Sequence, residues 1–335
     1  MSRVRQLAMP WARRGDPYST RGSVILKLRL GEAPREIPAA LDIRRGSEHA
    51  YTHLGVGDVD RVLRHFSVEQ QIYRVHSSAA GFAYPGRAHL GFDDLEHTAG
   101  LSRTFEADLD DDCPIADLVD ALRHLAVVEN AYPHYLSLVP FATATAPMVD
   151  KEQAWLSRDM IRAPEALAYE PGDAAVIVAV VDTGVMLEHP ELAARLRRGY
   201  DTVQLVENDL PTGMRLVADE SRGFGDPVDL VGHGTSCAGI IGAEGEHIPP
   251  GLAGNCGLLP LRVLGSARYP GKTEPVGIGA VADIDSGVKY AIDLGSKVLN
   301  FSFGTPEAEI EPNGPMPHSD VVEYGLARGC IMIAA

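Results

Sequence analysis

The sequence predicts an α/β chain: a doubly wound domain built on a parallel sheet, preceded by a small α+β domain of ferredoxin-like type. Three observations carry this. Apolar runs at residues 176–181, 258–264, 297–303 and 330–335 are near-continuous rather than alternating, the pattern of strands buried on both faces. Helical spacing fills the intervals between them, and strands alternating with helices imply a parallel sheet covered on both sides. The N-terminal half instead reads strand, helix, mixed, strand, helix, strand, an order compatible with a ferredoxin-like sandwich. At roughly 150 residues per domain, the 335 residues make about two such units.

Residues 1–22 form a basic arm with Arg3, Arg5, Arg13, Arg14 and Arg21. Pro10 interrupts its only apolar stretch and no signal-type apolar region follows, so no export signal is read; the compartment is left open, cytoplasmic as written. The α+β unit is read over 23–139. Its first strand is 23–30, Ser-Val-Ile-Leu-Lys-Leu-Arg-Leu, and Val59, Val62, Leu63 and Phe66 give a helix over 57–66. Residues 67–102 are mixed, with turns at Pro85-Gly86 and Ala99-Gly100. A strand follows at 104–110. Pro114 opens a helix over 115–126 that turns Leu118, Val119, Leu122 and Leu125 inward, and 128–139 is the last strand. Residues 140–150, small-sided and bounded by proline, read as a linker.

The doubly wound unit occupies 151–335. Its first strand, Val176 to Val181, lies between Pro171-Gly172 and Asp182-Thr183-Gly184, and helices are expected at 233–241, 281–292 and 321–327. Composition narrows the function. Thirty Lys and Arg stand against 46 Asp and Glu, a net charge of −16, which argues against non-specific nucleic-acid binding because phosphate contacts need a basic face. No run approaches the roughly 18 apolar residues of a membrane span. Cys113, Cys237, Cys256 and Cys330 are scattered and form no C-x-x-C pair, so neither a disulfide framework nor a zinc ribbon is expected.

The chemistry concentrates at two positions. Asp182 follows the buried strand directly, where a rigid, desolvated carboxylate can orient a histidine and stabilise its imidazolium. His233 sits in Gly-His-Gly-Thr-Ser-Cys-Ala-Gly, and the small residues around it let a helix start close against a neighbouring element with the imidazole free to act as a general base.

Several blocks then resemble, in order, those of the subtilisin-like serine proteases (subtilases): Val176 to Val185 with its Asp182-Thr183-Gly184, then Glu188-His189-Pro190-Glu191-Leu192, then Gly232 to Gly239. Leu258 to Leu264 resembles the strand after the family's His helix. Val298 to Gly304 resembles the strand whose backbone lines the substrate cleft, and Cys330 to Ala335 the strand leading to the oxyanion-hole Asn. Val127 to Pro133 resembles the end of a subtilase propeptide. The resemblance covers about 125–335, and 23–125 more weakly.

It implies a subtilisin-type sheet, here incomplete, behind a propeptide-like domain, and a serine endopeptidase acting on peptide or protein substrates. Asp182 and His233 are then the catalytic orienter and base, and Ser302, Phe303, Gly304, Leu264 and Gly265 the substrate-binding candidates. The family's Gly-Thr-Ser nucleophile block is expected after residue 335. Gly234-Thr235-Ser236 lies inside the His block and cannot serve as the remote nucleophile, so the 335 residues alone are expected to be inactive, with the remainder supplied downstream or in trans. No metal ligand or cofactor is required. Glu244 and Glu246 lie where some subtilases hold calcium, and that option stays open. Cys237 is read as a small helix residue rather than a rival nucleophile.

Other readings compete. Asp182-Thr183-Gly184 with Asp285-Ser286-Gly287 suggests an aspartic protease, but Asp285 falls in a helical pattern and the His block goes unused. A catalytically inactive pseudoprotease that binds peptides along the Ser302 strand fits the absence of a nucleophile block. A metal hydrolase on Asp182, His189 and His233 lacks paired ligand spacing.

Overall fold

A computed structural model of the protein describes residues 19–139, 151–217, 225–306, 309–311 and 314–335. The linker reading of 140–150 and residues 1–18 of the arm lie outside this set. The N-terminal unit runs β1 (Ser19–Leu28), α1 (Ala40–Arg44), α2 (Gly57–Phe66), β2 (Gln70–Arg74), α3 (Asp94–Ala99), β3 (Thr104–Leu109), α4 (Ile115–Arg123) and β4 (Val128–Leu138). The first strand thus starts at Ser19, four positions before the sequence-based boundary. Its strands pair antiparallel in the order β2-β3-β1-β4, the ferredoxin-like arrangement. Alternation along β1 sends Val24, Leu26 and Leu28 into a core with Leu63 of α2 and Leu118 and Leu122 of α4. Ile25, on the opposite face, is equally buried, against Ala282.

The second unit runs α5 (Lys151–Met160), α6 (Ala163–Tyr169), β5 (Ile177–Asp182), β6 (Tyr200–Asp201), β7 (Arg215–Leu216), α7 (His233–Gly242), β8 (Gly257–Arg262), β9 (Gly265–Arg268), β10 (Val276–Ala280), α8 (Val281–Asp293), β11 (Val298–Phe301), α9 (Ser319–Ala327) and β12 (Ile331–Ala334). Five of these strands make a parallel sheet in the order β12-β11-β5-β8-β6. Both faces of β5 are covered, which is why its run is apolar without alternation. Val178 and Val180 pack with Ala238 and Ile241 of α7, while Ala179 and Val181 pack with α8 and α9 through Ile284, Val288 and Val321. Among the described residues no helix is long and apolar enough to cross a membrane.

The hairpin of β9 and β10 pairs with the end of β4, so a single antiparallel sheet, β2-β3-β1-β4-β10-β9-β7, runs through both halves. Side chains reinforce the junction: Lys27 with Asp320 (3.0 Å), Arg44 with Asp283 (3.1 Å) and Glu96 with Lys289 (2.6 Å). The Ala282 N–H donates to His134 Nε2 at 3.1 Å.

Candidate active site

The carboxyl ends of β5 and β8 meet the N-terminus of α7, the region where open parallel sheets place their ligands. His233 is the first residue of α7. It is preceded by Gly232 at φ 94°, a left-handed conformation that glycine adopts without strain. Gly232 has no side chain to cap the helix, and Asp229 does so instead. Its Oδ1 accepts from the N–H groups of Val231 (2.9 Å) and Gly232 (2.8 Å), and its Oδ2 from the Thr235 N–H (2.9 Å) and hydroxyl (2.6 Å). A carboxylate here also suits the positive end of the helix dipole. The Thr183 hydroxyl joins strand to helix, donating to Asp229 Oδ1 and accepting from the Gly234 N–H, both at 2.9 Å. The approach is so close that a Cβ on Gly234 would lie 2.1 Å from the Gly184 carbonyl oxygen and 3.1 Å from Asp182 Cβ.

This scaffold brings His233 Nδ1 to 2.8 Å from Asp182 Oδ1. The Asp182 side chain is fully buried and the imidazole about one quarter exposed, at 25%. Asp182 Oδ1 also accepts from the Thr183 N–H at 2.7 Å, whereas Oδ2 is buried without a partner. In the neutral imidazole, a carboxylate oxygen accepting at Nδ1 fixes the proton there and leaves the lone pair on Nε2. The hydrogen bond to Asp182, followed by the contact with Cys237, lifts the imidazole above its ordinary value because both favour the charged ring. Cys237, one turn along, places Sγ 3.9 Å from Nδ1.

Asp229 is the site residue the sequence reading missed, because it lies three residues before the N-cap Gly232, outside the position where a capping side chain is sought. Asp229→Ala is expected to lower stability by about 1–2 kcal/mol, measured by urea unfolding. It should also move the His233 titration back toward 6.5, because the helix that aims the imidazole loses its anchor.

The substrate-binding candidates separate in the structure. Gly304 exchanges two backbone hydrogen bonds with Leu138, at 3.0 and 3.1 Å. Phe303 is buried, packed edge-on against Phe301, and Ser302 accepts from Asn300 Nδ2 at 3.0 Å. Leu264 instead lies in the core behind β10, and Gly265 pairs with Ile278 within the hairpin. The backbone facing the end of β4 on that side belongs to β10: Ile278 pairs with Leu138, and the Val139 N–H donates to the Gly277 carbonyl at 3.2 Å. Residues 136–139 therefore lie as a strand between β10 and residues 304–305, where Thr305 Oγ1 donates to the Leu136 carbonyl at 3.0 Å. Gly277 and Gly279 alternate along β10, the signature of a close backbone approach, and that signal could have located this strand.

Among the described residues, Glu244 and Glu246 belong to no group of three ligating side chains. Among the described residues the one group of three such side chains is Asp182, His233 and Cys237. The loop amides of Gly245, Glu246 and His247 are bound by the carboxylate of Glu191 at 2.5–3.1 Å. His189 Nδ1 accepts from the Glu191 N–H at 3.2 Å. Asp285 sits within α8 and pairs with His318, so it offers no strand-end partner to Asp182.

A five-stranded parallel sheet with a buried carboxylate at the end of its central strand, paired to the first residue of a covering helix, defines a doubly wound domain of subtilisin type. The subtilase family's sequence profile matches residues 173–335, just under half of the chain, and this segment is similar to that family. It is 30% identical over 223 residues to the thermophilic serine proteinase of Bacillus sp. (strain AK1), covering 65% of this chain and 46% of that protein. It is 32% identical over 178 residues to thermitase of Thermoactinomyces vulgaris, covering 52% and 51%. The chain thus spans about half the length of these two relatives. The fold matches the crystal structure of fervidolysin from Fervidobacterium pennivorans, a keratinolytic enzyme related to subtilisin. The TM-score is 0.50 at 18% identity, over 96% of this chain and 40% of that one.

Proposed function

We propose that Asp182 and His233 are two members of an Asp-His-Ser triad in a serine endopeptidase, and that the serine lies in a segment outside these 335 residues. The observation that carries this reading is the 2.8 Å bond from a fully buried carboxylate to Nδ1 of a half-buried histidine whose Nε2 is unengaged by any described residue. In the reaction the serine hydroxyl gives its proton to His233 Nε2 as its oxygen attacks the peptide carbonyl carbon. The imidazolium, stabilised by Asp182, returns that proton to the leaving amine as the C–N bond breaks. Water then repeats the sequence on the acyl ester, with His233 taking and returning a proton, to release the carboxylic acid.

The strand seat between β10 and Gly304 supports a peptide as substrate, since an extended chain adds there by backbone pairing. Residues 136–139 hold that seat, which makes the N-terminal unit a propeptide-like cover whose removal follows cleavage after the seat.

The test is to express the longer reading frame that contains a Gly-Thr-Ser block, beside its His233→Ala form, and to treat both with an activated phosphonate. The longer protein should label at that serine and show a new N-terminus between residues 139 and 152. The His233→Ala form should do neither. The 335-residue chain should not label, because no described serine hydrogen-bonds His233. Labelling of the 335-residue chain would move the nucleophile inside it. A longer protein that binds peptides without labelling would be a pseudoprotease.

A further inference from the structure

A cavity of about 690 Å³ opens in the N-terminal unit, between the loop after β1, residues 89–92, α3 and the start of β3. It shares no residue with the Asp182–His233 pair or with the strand seat. Its charges run against the composition of the chain. Arg35, Arg74, Arg103, His89 and His97 line it with a single carboxylate, Asp94, in a protein of net charge −16.

Most of these groups are satisfied. Arg103 pairs with Glu129 and donates to the Leu28 carbonyl at 2.7 Å. His89 is held by Asp42 at 3.2 Å and His97 by the Ser102 hydroxyl at 2.6 Å. Arg74 is different. It is 3% exposed, and among the described residues no carboxylate lies within ion-pair distance of it. Glu36 is the acidic group that acts on it from further away. Its Nη2 donates to the Pro34 carbonyl at 2.7 Å, while its Nε is buried with no partner. The guanidinium lies over the rings of Phe105, 4.7 Å from the centroid, and Phe92, at 5.5 Å.

A buried cation without a counter-ion is an expensive feature to keep. Two ring faces and one carbonyl replace only part of the hydration of a group with five donors. Burial accordingly pulls Arg74 down to about 10. An anion would complete the arrangement, and a guanidinium fork suits the two oxygens of a phosphate or carboxylate. Leu30, Pro34 and Leu90 supply an apolar wall beside it, and the volume falls within the range of roughly 300–1,000 Å³ typical of small-molecule sites.

We propose that this cavity binds a small organic oxyanion whose phosphate or carboxylate head pairs with Arg74 and Arg35 and whose apolar body lies against Leu30, Pro34 and Leu90. The site is independent of the proteolytic reading and is tested on the 335-residue chain.

Titration calorimetry with phenyl phosphate, benzoate and neutral benzyl alcohol separates the outcomes. One or both anions should bind saturably and benzyl alcohol should not. Binding of phenyl phosphate alone assigns a phosphate head, and of benzoate alone a carboxylate. Arg74→Gln should weaken the anion by roughly tenfold or more, the scale for losing one member of a desolvated charge pair. Arg35→Glu, at an exposed position, should weaken it in the same direction and keeps the test available if Arg74→Gln does not fold. Without ligand, Arg74→Gln should melt at or above the wild-type temperature, since it removes an unpaired buried charge. Heats of dilution alone from both anions, equal binding of benzyl alcohol, or wild-type affinity in both variants would overturn the proposal.

Discussion

Asp182→Asn, made in the protein that carries the nucleophilic serine, is expected to lower kcat by about 10⁴-fold with little change in KM. The reason lies in the two carboxylate oxygens. Oδ1 serves both the Thr183 N–H and His233 Nδ1, while Oδ2 is buried without a partner. If the Asn oxygen takes the Oδ1 position, the histidine tautomer survives. The charge that stabilises the imidazolium is lost, however, and an NH2 group is buried with nothing to bond. If the amide flips, its NH2 faces the Thr183 N–H and forces Nδ1 to accept, which removes the lone pair from Nε2. Either way the base fails in the transition state rather than in binding.

The same variant has a readout in the 335-residue chain. His233 titrates above 6.5 because of its bond to Asp182 and its contact with Cys237, so its NMR midpoint should fall in Asp182→Asn. For a raised histidine, the stabilisation is fully present below 6.5 and is lost as pH rises through the folded value. The stability gap between wild type and variant should therefore narrow as pH increases through that window. A rate within tenfold of wild type together with an unmoved midpoint would remove Asp182 from this role.

What the sequence makes legible follows from how local each signal is. The run ending at Asp182 is apolar throughout because both faces of β5 are covered, so its burial can be read from six residues. The helix at His233 is readable from its small residues, and Gly234 shows why they are small. The hairpin of β9 and β10 is not readable. Residues 265–280 are rich in glycine and carry Pro270 and Pro275, and their strand character comes from pairing with β4, more than a hundred residues away. Leu264 and Gly265 follow β8 directly in sequence, and only the long-range pairing reveals that the hairpin sets β10 between Gly265 and the end of β4. β2 was hidden in a polar stretch. Gln70 and Arg74 are buried there by tertiary packing, against their intrinsic preference for the surface. The amides of the Glu244–Glu246 loop are turned inward onto Glu191, a partner no spacing rule would select.

Lys289→Met is expected to cost about 3–5 kcal/mol of stability, the range for removing one member of a buried ionic cluster. Lys289, in α8, is fully buried, with Nζ 2.6 Å from both Glu96 of α3 and Asp293. It also lies 5.1 Å from the ring centroid of Tyr324, whose hydroxyl donates to Asp293 Oδ1 at 2.7 Å. Glu96 further accepts from the backbone N–H groups of Ala79 (2.9 Å) and Asp93 (2.7 Å), so it cannot turn away to solvent without breaking the N-terminus of α3. Methionine matches the volume of lysine but leaves two carboxylates facing each other in a dry interface between the N-terminal sheet and the doubly wound unit. Burial already raises Asp293 above the usual carboxylate range, and without the ammonium it should rise further. A carboxyl raised in the folded state binds protons more readily there than in the unfolded chain, so the variant should regain stability as pH falls toward the raised values. Urea unfolding at neutral and mildly acidic pH measures both effects. The double variant Lys289→Met, Glu96→Gln should recover part of the loss, because one of the uncompensated charges is gone. A loss below about 1 kcal/mol with no pH dependence would mean the carboxylates are hydrated, and the ionic cluster would then be a surface pair of the kind worth little.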